Sequence, residues 1–395
     1  MTCMRTRWIM TTWAAGMIFL AIGAARSESA EAKTPAHRLP VVGLEADPAI
    51  PTIREVLGYD WAKSITSHGQ MERYLRALSE SAPDRARLVR YGESYEGHGL
   101  YYLVISSPEN MKRLKQIRGA NLRLADPRQT DMGTALDLIA ENPAVLWLAS
   151  SVHGSELSGT EAMLLTAYHL LADKRPKTRA MLEKLVVLID PLQNPDGRTR
   201  YTSVYRETRG VFPNSNPLST EHAERWPGGR YNHYLFDMNR DWFLQSQRET
   251  VFKVRAYLHW QPQIYVDAHE MGRDSSYFFV PPRDPINPFM LPRQNDWLWK
   301  LGERQAAWFD EYGFAYTTRE IFDAFYPGYG SEWPTLQGGI GVLWEQAGTR
   351  GLLVDRSDET VLLFRDAVLH HYVSALATVE TAAQKRADLW SGFYD

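Results

Sequence analysis

Cysteine is almost absent from this sequence, and its absence limits the chemistry available to the protein. Cys3 is the single cysteine among 395 residues, and it lies in an N-terminal segment that we predict to be removed. The mature chain would then form no disulfide and could not use a thiol as its nucleophile. A domain of this length does not need disulfides, because its hydrophobic core is large enough to stabilise it.

The sequence also lacks a large excess of either positive or negative charge. The formal net charge is -3, charged residues make up 23% of the sequence, and no long run carries a single sign. Proteins that bind nucleic acid usually present a basic patch or stripe. We therefore expect no DNA or RNA partner.

Two common hydrolase signatures are also absent. Ser155 and Ser331 each follow a glycine, but the sequences Gly-Ser-Glu at both places do not form the G-x-S-x-G motif of a serine nucleophile. No phosphate-binding loop of the P-loop type is present, and no internal repeat is found. The sequence gives no support for a serine hydrolase or a nucleotide hydrolase.

The first 25 residues have the order of a signal peptide. Arg5 and Arg7 precede an apolar run over residues 8–22, and small residues follow at 23–25. The run is short and interrupted for a membrane span, although an uncleaved anchor is the alternative. We predict a protein exported to a periplasm or to the cell exterior, with no stable membrane span after cleavage.

The remainder divides into three parts by composition. Residues 26–52 are rich in alanine, glutamate and proline, which predicts a linker or N-terminal arm. Residues 53–380 are predicted to form one large domain, and residues 381–395 a C-terminal tail.

Within the large domain, short apolar runs alternate with helical patterns. Predicted strands lie at residues 144–149, 185–189, 264–268 and 340–344, and the segments between them include the helical patterns at 160–172, 248–258 and 296–312. Such alternation is typical of a layered α/β fold whose strands are buried on both faces.

Four side chains that can bind metal or transfer protons follow these predicted strands: His153, Glu156, His269 and Glu345. Because open α/β sheets place their chemistry beyond the carboxyl ends of the strands, we expect the four to converge. Two imidazoles and a carboxylate are a common ligand set for catalytic zinc, and they leave one position for water. Cobalt or manganese could occupy such a set in vitro.

The ordinary alternative is that an H-x-x-E pair arises by chance. The other nine histidines, among them His169, His370 and His371, are expected to have core or surface roles. The placement of His153 and His269 at strand ends favours the metal-site interpretation for these two.

An ordered series of segments resembles the zinc carboxypeptidase family, the carboxypeptidase A/B-like metallopeptidases. The segments are GESYEG with LYYLVI at residues 92–105, WLASSVHGSE at 147–156, NPDG at 194–197 and DMNRDW at 237–242. The resemblance extends over about residues 70–377. It implies a single catalytic domain at residues 53–380, with three α/β/α layers around a central mixed, mostly parallel, twisted sheet.

The resemblance also implies which residues act. His153, Glu156 and His269 would bind one zinc ion per chain, and Glu345 would be the catalytic base. Asn239 and Arg240 would bind the terminal carboxylate of a peptide substrate, the arginine through its planar fork.

The resemblance implies two further roles, and for each of them more than one residue is a candidate. Arg206 would stabilise the oxyanion, with Arg209 as its closest rival and Arg198 and Arg200 close by. Tyr326 would be the mobile substrate-contacting tyrosine on spacing, with Tyr329 as the alternative.

One departure from the digestive enzymes concerns the third ligand, because His269 lies in the sequence Asp-Ala-His-Glu-Met. This feature suggests a divergent bacterial branch. The residue that selects the substrate side chain does not align, so the preferred C-terminal residue stays open.

We therefore predict a secreted zinc metallocarboxypeptidase that hydrolyses the bond next to a free C-terminal carboxylate. One alternative is an amidase on cell-wall peptides or a deacylase of acylated amino acids. Another is a non-catalytic binding protein on a peptidase scaffold. The sequence predicts no oligomeric state.

Overall fold

The computed structural model describes residues 44–395. The predicted signal peptide, and the predicted arm up to residue 43, lie outside the described residues. The strands are β1 (Ala86–Glu93), β2 (Gly99–Ile105), β3 (Ala144–Ser150), β4 (Leu185–Asp190), β5 (Ile264–Met271), β6 (Tyr277–Phe279), β7 (Arg283–Ile286), β8 (Tyr316–Thr317), β9 (Asp323–Ala324), β10 (Ile340–Ala347), β11 (Leu353–Asp355) and β12 (Val361–Leu363).

Helices fill most of the connections between these strands. They are α1 (Ile53–Leu57), α2 (His68–Ser81), α3 (Pro108–Lys112), α4 (Leu114–Ala125), α5 (Met132–Glu141), α6 (Ser158–Ala172), α7 (Pro176–Lys184), α8 (Pro195–Thr208), α9 (Arg248–Trp260), α10 (Pro292–Tyr312), α11 (Glu332–Leu336), α12 (Phe364–Gln384) and α13 (Arg386–Tyr394). Three short 3-10 turns lie at Pro127–Gln129, Thr220–His222 and Met238–Arg240.

Eight strands form the central sheet, in the order β1-β2-β4-β3-β5-β10-β6-β8. The four inner strands β4, β3, β5 and β10 are parallel to their neighbours within this group. The pairs β1–β2, β2–β4 and β10–β6 are antiparallel, and β6–β8 is parallel. The predicted mixed, mostly parallel α/β sheet is confirmed. Its inner strands all end at one edge, and the candidate site lies at that edge.

Helices cover both faces of the sheet. Every residue of β3 and β4 is buried, which explains why both strands are continuous apolar runs. Side chains alternate between the faces: Val145 and Trp147 join a core cluster with residues of α4 and α9, while α6 and α12 pack against the sheet and against each other. These three layers form a single domain.

The ends of the described chain pack onto this domain. Residues 381–395, predicted as a tail, contain the end of α12 and all of α13, and Leu389 and Trp390 of α13 are buried. At the other end, Ile50 is buried within the predicted arm. Across residues 44–395, the helices are too short or too polar for any of them to cross a membrane.

Candidate active site

Three buried side chains meet at the carboxyl ends of β3 and β5. His153 and Glu156 lie in the connection from β3 to α6, and His269 lies near the end of β5. The Nδ1 atom of His153 is 2.6 Å from Oε1 of Glu156, and Nδ1 of His269 is 3.0 Å from Oε2 of the same carboxylate. One ligand atom from each residue lies within 4.8 Å of the others. We call these residues the triad; they match the ligand set of a catalytic zinc.

A carboxylate lies beside the second nitrogen of each histidine of the triad, and at His153 it accepts a hydrogen bond. Nε2 of His153 lies 3.0 Å from Oδ1 of Asp237, and Nε2 of His269 lies 2.9 Å from Oδ2 of Asp267. The hydrogen bond to Asp237 favours a proton on Nε2 of His153 and leaves Nδ1 available as a ligand atom. The ion-pair contact of Asp267 favours the same tautomer at His269. Neither aspartate was predicted from the sequence, although Asp267 precedes His269 by two residues on the same face of β5.

Asp237 connects the triad to an arginine that we did not predict. Both Nε and Nη2 of Arg230 donate to Oδ2 of Asp237, at 3.1 and 2.8 Å, and Nη1 lies 3.3 Å from Nδ1 of His153. Burial opposes ionisation of Asp237, but the hydrogen bond and charge of His153 and the charge of Arg230 outweigh it. They hold the pKa of Asp237 well below its usual range. Arg230 is thus a fixed cation beside the triad.

The loop that carries His153 and Glu156 rests directly on the start of α8. A Cβ atom at Gly154 would lie 2.1 Å from the backbone nitrogen of Arg198, so only glycine fits there. Asn194 caps α8 by accepting a hydrogen bond from the backbone N–H of Gly197, and Pro195 occupies the first turn. The predicted N-P-D-G turn is therefore a helix start that supports the metal-binding loop.

A second group of potential ligands, Glu96, His98 and Asp196, lies near this helix start. Its contacts are those of a structural anchor. Asp196 accepts hydrogen bonds from the hydroxyl of Ser94 at 2.5 Å and from the backbone N–H of Glu96 at 3.2 Å, and His98 Nδ1 lies 2.9 Å away. These bonds tie the hairpin between β1 and β2 to α8.

Glu345 faces the same cavity as the triad. It lies on β10 directly beside His269 of β5 in the register of the parallel pair. A cavity of about 340 Å³, which we call the terminal cavity, is lined by Glu345 and by all three triad residues. Burial raises the pKa of Glu345 to about 8, against the lowering effect of the charge on His269. A divalent cation at the triad would favour the ionised form.

Arg240 and Asn239 line the terminal cavity from the 3-10 turn at Met238–Arg240. The guanidinium of Arg240 is exposed and stacks over the ring of Tyr329 at 4.6 Å. The side chain of Asn239 already has partners within the protein. Its Oδ1 accepts a hydrogen bond from the backbone N–H of Gly330 at 2.8 Å, and its Nδ2 lies 3.2 Å from Nε2 of His269. Asn239 therefore joins the cavity wall to the loop that carries Gly330 and lies beside His269.

The remaining predicted residues lie further out. Arg206 is in the last turn of α8, and Arg209 caps its end; both are exposed, and neither lines a cavity at the triad. Tyr326 donates a hydrogen bond to the carbonyl of Arg240 at 3.2 Å, whereas Tyr329 lines the terminal cavity itself. The structure brings Arg230, and not Arg206, beside the triad.

Comparison with known families agrees with this geometry. Residues 71–263 match the family model for zinc carboxypeptidase. Over these residues the chain resembles the zinc carboxypeptidase family. Among curated relatives, carboxypeptidase 2 of Trichophyton rubrum is 28% identical over 150 residues, which is 37% of this chain and 22% of that protein. Carboxypeptidase Z of Homo sapiens is 25% identical over 202 residues, which is 50% of this chain and 24% of that protein.

The matched part of the chain spans less than a quarter of the length of those two relatives. Solved structures share its fold over a larger part. Carboxypeptidase A of Helicoverpa armigera aligns with a TM-score of 0.54 at 16% identity, over 85% of this chain and 80% of that one. A metallo-carboxypeptidase of Burkholderia cenocepacia aligns with a TM-score of 0.52 at 13% identity, over 80% and 68%. The predicted resemblance to this family and the predicted fold are confirmed.

Proposed function

We propose that this protein is a metallocarboxypeptidase that hydrolyses the peptide bond next to a free C-terminal carboxylate. The observation that carries the proposal is the terminal cavity, which is lined by the triad, by Glu345 and by Arg240. Metal ligands, a proton acceptor and a carboxylate-binding cation thus face one space of about 340 Å³. Hydrolysis of the peptide bond that precedes a free C-terminal residue would use all three of these groups.

The triad fits a zinc ion. Nδ1 of His153, Nδ1 of His269 and the carboxylate of Glu156 would hold it, since both Nε2 atoms are engaged by Asp237 and Asp267. When bound, zinc would lower the pKa of a coordinated water and polarise the substrate carbonyl.

Glu345 is the proposed general base. Its carboxylate would accept a proton from the attacking water and later deliver it to the departing amine. Its buried position on β10 excludes bulk water from the transfer and keeps the carboxyl beside the triad. No other glutamate of the described chain lines the terminal cavity except the ligand Glu156 and Glu270, which accepts from both the backbone N–H and the hydroxyl of Ser158.

Two arginines have separate proposed roles. Arg240, stacked on Tyr329, would bind the terminal carboxylate through its planar fork. Arg230, held by Asp237 beside the triad, would stabilise negative charge on the carbonyl oxygen. We propose Arg230 for this role in place of Arg206, because Arg230 is the arginine that faces the triad.

The test measures the release of C-terminal amino acids from a panel of peptides that have a blocked N-terminus and a free C-terminus. The zinc content of the protein is measured in parallel. Glu345→Gln should lower the rate by at least about 100-fold, the usual contribution of a general base, and should leave one zinc bound per chain. Glu311→Gln, an exposed position in α10, is the control. Near-normal turnover by Glu345→Gln would refute the mechanism, and activity confined to cell-wall peptides would point to an amidase.

Export is a separate proposal. It is supported by the signal-peptide order of residues 1–25. Expression of the full chain in a bacterial host, followed by N-terminal sequencing of the periplasmic fraction, would test it. An uncleaved N-terminus in the cytoplasm would contradict it.

A further inference from the structure

The cleft continues beyond the triad into a second cavity of about 450 Å³. This cavity shares Glu156, Arg230, Glu270 and Met271 with the terminal cavity, so the two meet at the triad. If the terminal carboxylate is bound at Arg240, the part of the substrate that precedes the scissile bond enters this second cavity. We call it the acyl-side cavity, and the reasoning that follows rests on the proposed function.

Three arginines line the acyl-side cavity: Arg230, Arg273 and Arg350. Two of them have acidic partners in the protein. Arg230 is held by Asp237, as described above. Nη2 of Arg350 lies 3.6 Å from Oε2 of Glu224.

Arg273 differs from the other two because its own acidic neighbour is engaged elsewhere. It follows the end of β5, and its Nε lies 3.8 Å from Oδ2 of Asp274, which like the 3.6 Å contact of Arg350 is an ion pair without a hydrogen bond. The carboxylate of Asp274 accepts hydrogen bonds from the backbone N–H and the hydroxyl of Ser357, at 2.7 and 2.9 Å. Nε of Arg273 is buried and has no hydrogen-bond partner within residues 44–395. The Arg273 side chain as a whole is 38% exposed and lines the cavity, so the accessible part of its guanidinium can donate to a ligand.

The acids of the acyl-side cavity are already compensated. Oε1 of Glu224 accepts from the backbone N–H of Gly229 at 2.7 Å, and its Oε2 faces Arg350. Glu270 accepts from Ser158 twice, and the buried guanidinium of Arg198 acts on it electrostatically. Glu156, the third acid of the cavity, belongs to the triad and lies 4.0 Å from Arg230. Arg273 is therefore the cation of this cavity whose hydrogen-bond donors are least engaged.

We infer that the acyl-side cavity is a subsite for an acidic residue on the N-terminal side of the scissile bond, with Arg273 as its specificity-determining residue. A guanidinium and a carboxylate form paired, charge-assisted hydrogen bonds, and these are strong where burial limits competition from water. A neutral amide of the same shape offers only one acceptor and no charge. The substrate class is therefore a peptide with glutamate or aspartate before its C-terminal residue.

Matched peptides test this inference. The probes are N-acetylated tripeptides with glutamate or glutamine at the first or second position before the scissile bond, and with the C-terminal residue that the wild type releases fastest. Wild-type kcat/KM should favour glutamate over glutamine by about tenfold at one of these positions, the order of one charge-assisted hydrogen bond. Arg273→Gln should abolish the preference by slowing the glutamate peptide about tenfold, with the glutamine peptide changed by less than about twofold.

Two further variants complete the experiment. Arg273→Lys keeps the charge and should restore part of the preference, whereas Arg225→Gln, at an exposed position outside the cavity, should not change it. Cleavage of both peptides at equal rates by the wild type, or a glutamate preference that persists in Arg273→Gln, would overturn the inference and leave the proposed function standing. Failure to cleave any peptide of the panel would overturn both.

Discussion

The hydrogen bond from His153 to Asp237 provides a quantitative test of the metal site. Oδ1 of Asp237 lies 3.0 Å from Nε2 of His153, and the contact is largely buried. Replacing the carboxylate that orients a metal-binding histidine typically weakens metal binding by about 10- to 100-fold, which corresponds to about 1.4 to 2.8 kcal/mol. Asp237→Asn keeps an acceptor but loses the charge, so it should fall near the lower value. Asp237→Ala loses both and should fall near the upper one.

Competition for zinc against a chromogenic chelator, with apo-protein near neutral pH, measures this difference directly. Asp323→Asn is the matched control: Asp323 lines the same terminal cavity, but its described hydrogen bond goes to the backbone N–H of Phe325 and not to a triad histidine. Its zinc affinity should equal that of the wild type. A zinc affinity of Asp237→Ala within about twofold of the wild type would refute the assignment of Nδ1 as the metal-binding atom of His153.

Three other predictions concern stability. Gly154→Ala should lower the free energy of unfolding by about 1 to 3 kcal/mol, as overpacking does, because the new methyl group meets the backbone of Arg198; an unchanged urea midpoint would contradict it. Burial lowers the pKa of His169 to about 4, so the unfolded chain binds a proton that the folded chain does not. Stability should therefore fall as pH drops from about 6.5 to 4, by up to about 3 kcal/mol for this group, and His169→Gln should flatten the melting-temperature profile in that window relative to the wild type. Trp390→Ala should cost about 3 to 5 kcal/mol if α13 belongs to the domain, whereas a change below about 1 kcal/mol, measured by chemical denaturation, would show that residues 381–395 behave as a tail.

The parts of the fold that could be predicted from sequence are those whose residues are buried on both sides. The predicted strands at 144–149, 185–189, 264–268 and 340–344 coincide with β3, β4, β5 and β10 to within a few residues. Each is a short apolar run, because a parallel strand between two helical layers has no polar face. The edge strands β8 and β9 have two residues each, too few to show any period.

The triad could be predicted for a related reason. Ligands at strand ends occupy positions that the strand pattern already fixes, so His153 and His269 followed from β3 and β5. Arg230 could not be predicted in this way, because it lies in a long loop and reaches the triad through a contact with Asp237. Arg206 was chosen by its distance from residues 194–197, but α8 continues through Thr208 and carries that side chain to an exposed position.

Helix α13 illustrates the opposite difficulty. Its sequence is short and mixes charged with aromatic residues, and its burial depends on contacts with α4 and α5, far away in the chain. A local pattern does not contain that information. For this reason residues 381–395 were predicted to be a tail, whereas the structure has the packed helix α13 there.

The close contacts of Gly154 extend to a third segment. A Cβ atom at Gly197 would lie 2.2 Å from the carbonyl oxygen of Gly229, which directly precedes Arg230. Backbone thus touches backbone at two successive points, from the loop of His153 through the start of α8 to the loop that carries Arg230. Segments joined without intervening side chains open together rather than one by one, so amide hydrogens across all three should exchange at a common rate. Loss of the triad geometry and loss of the arginine beside it would then be a single event in the unfolding of this protein.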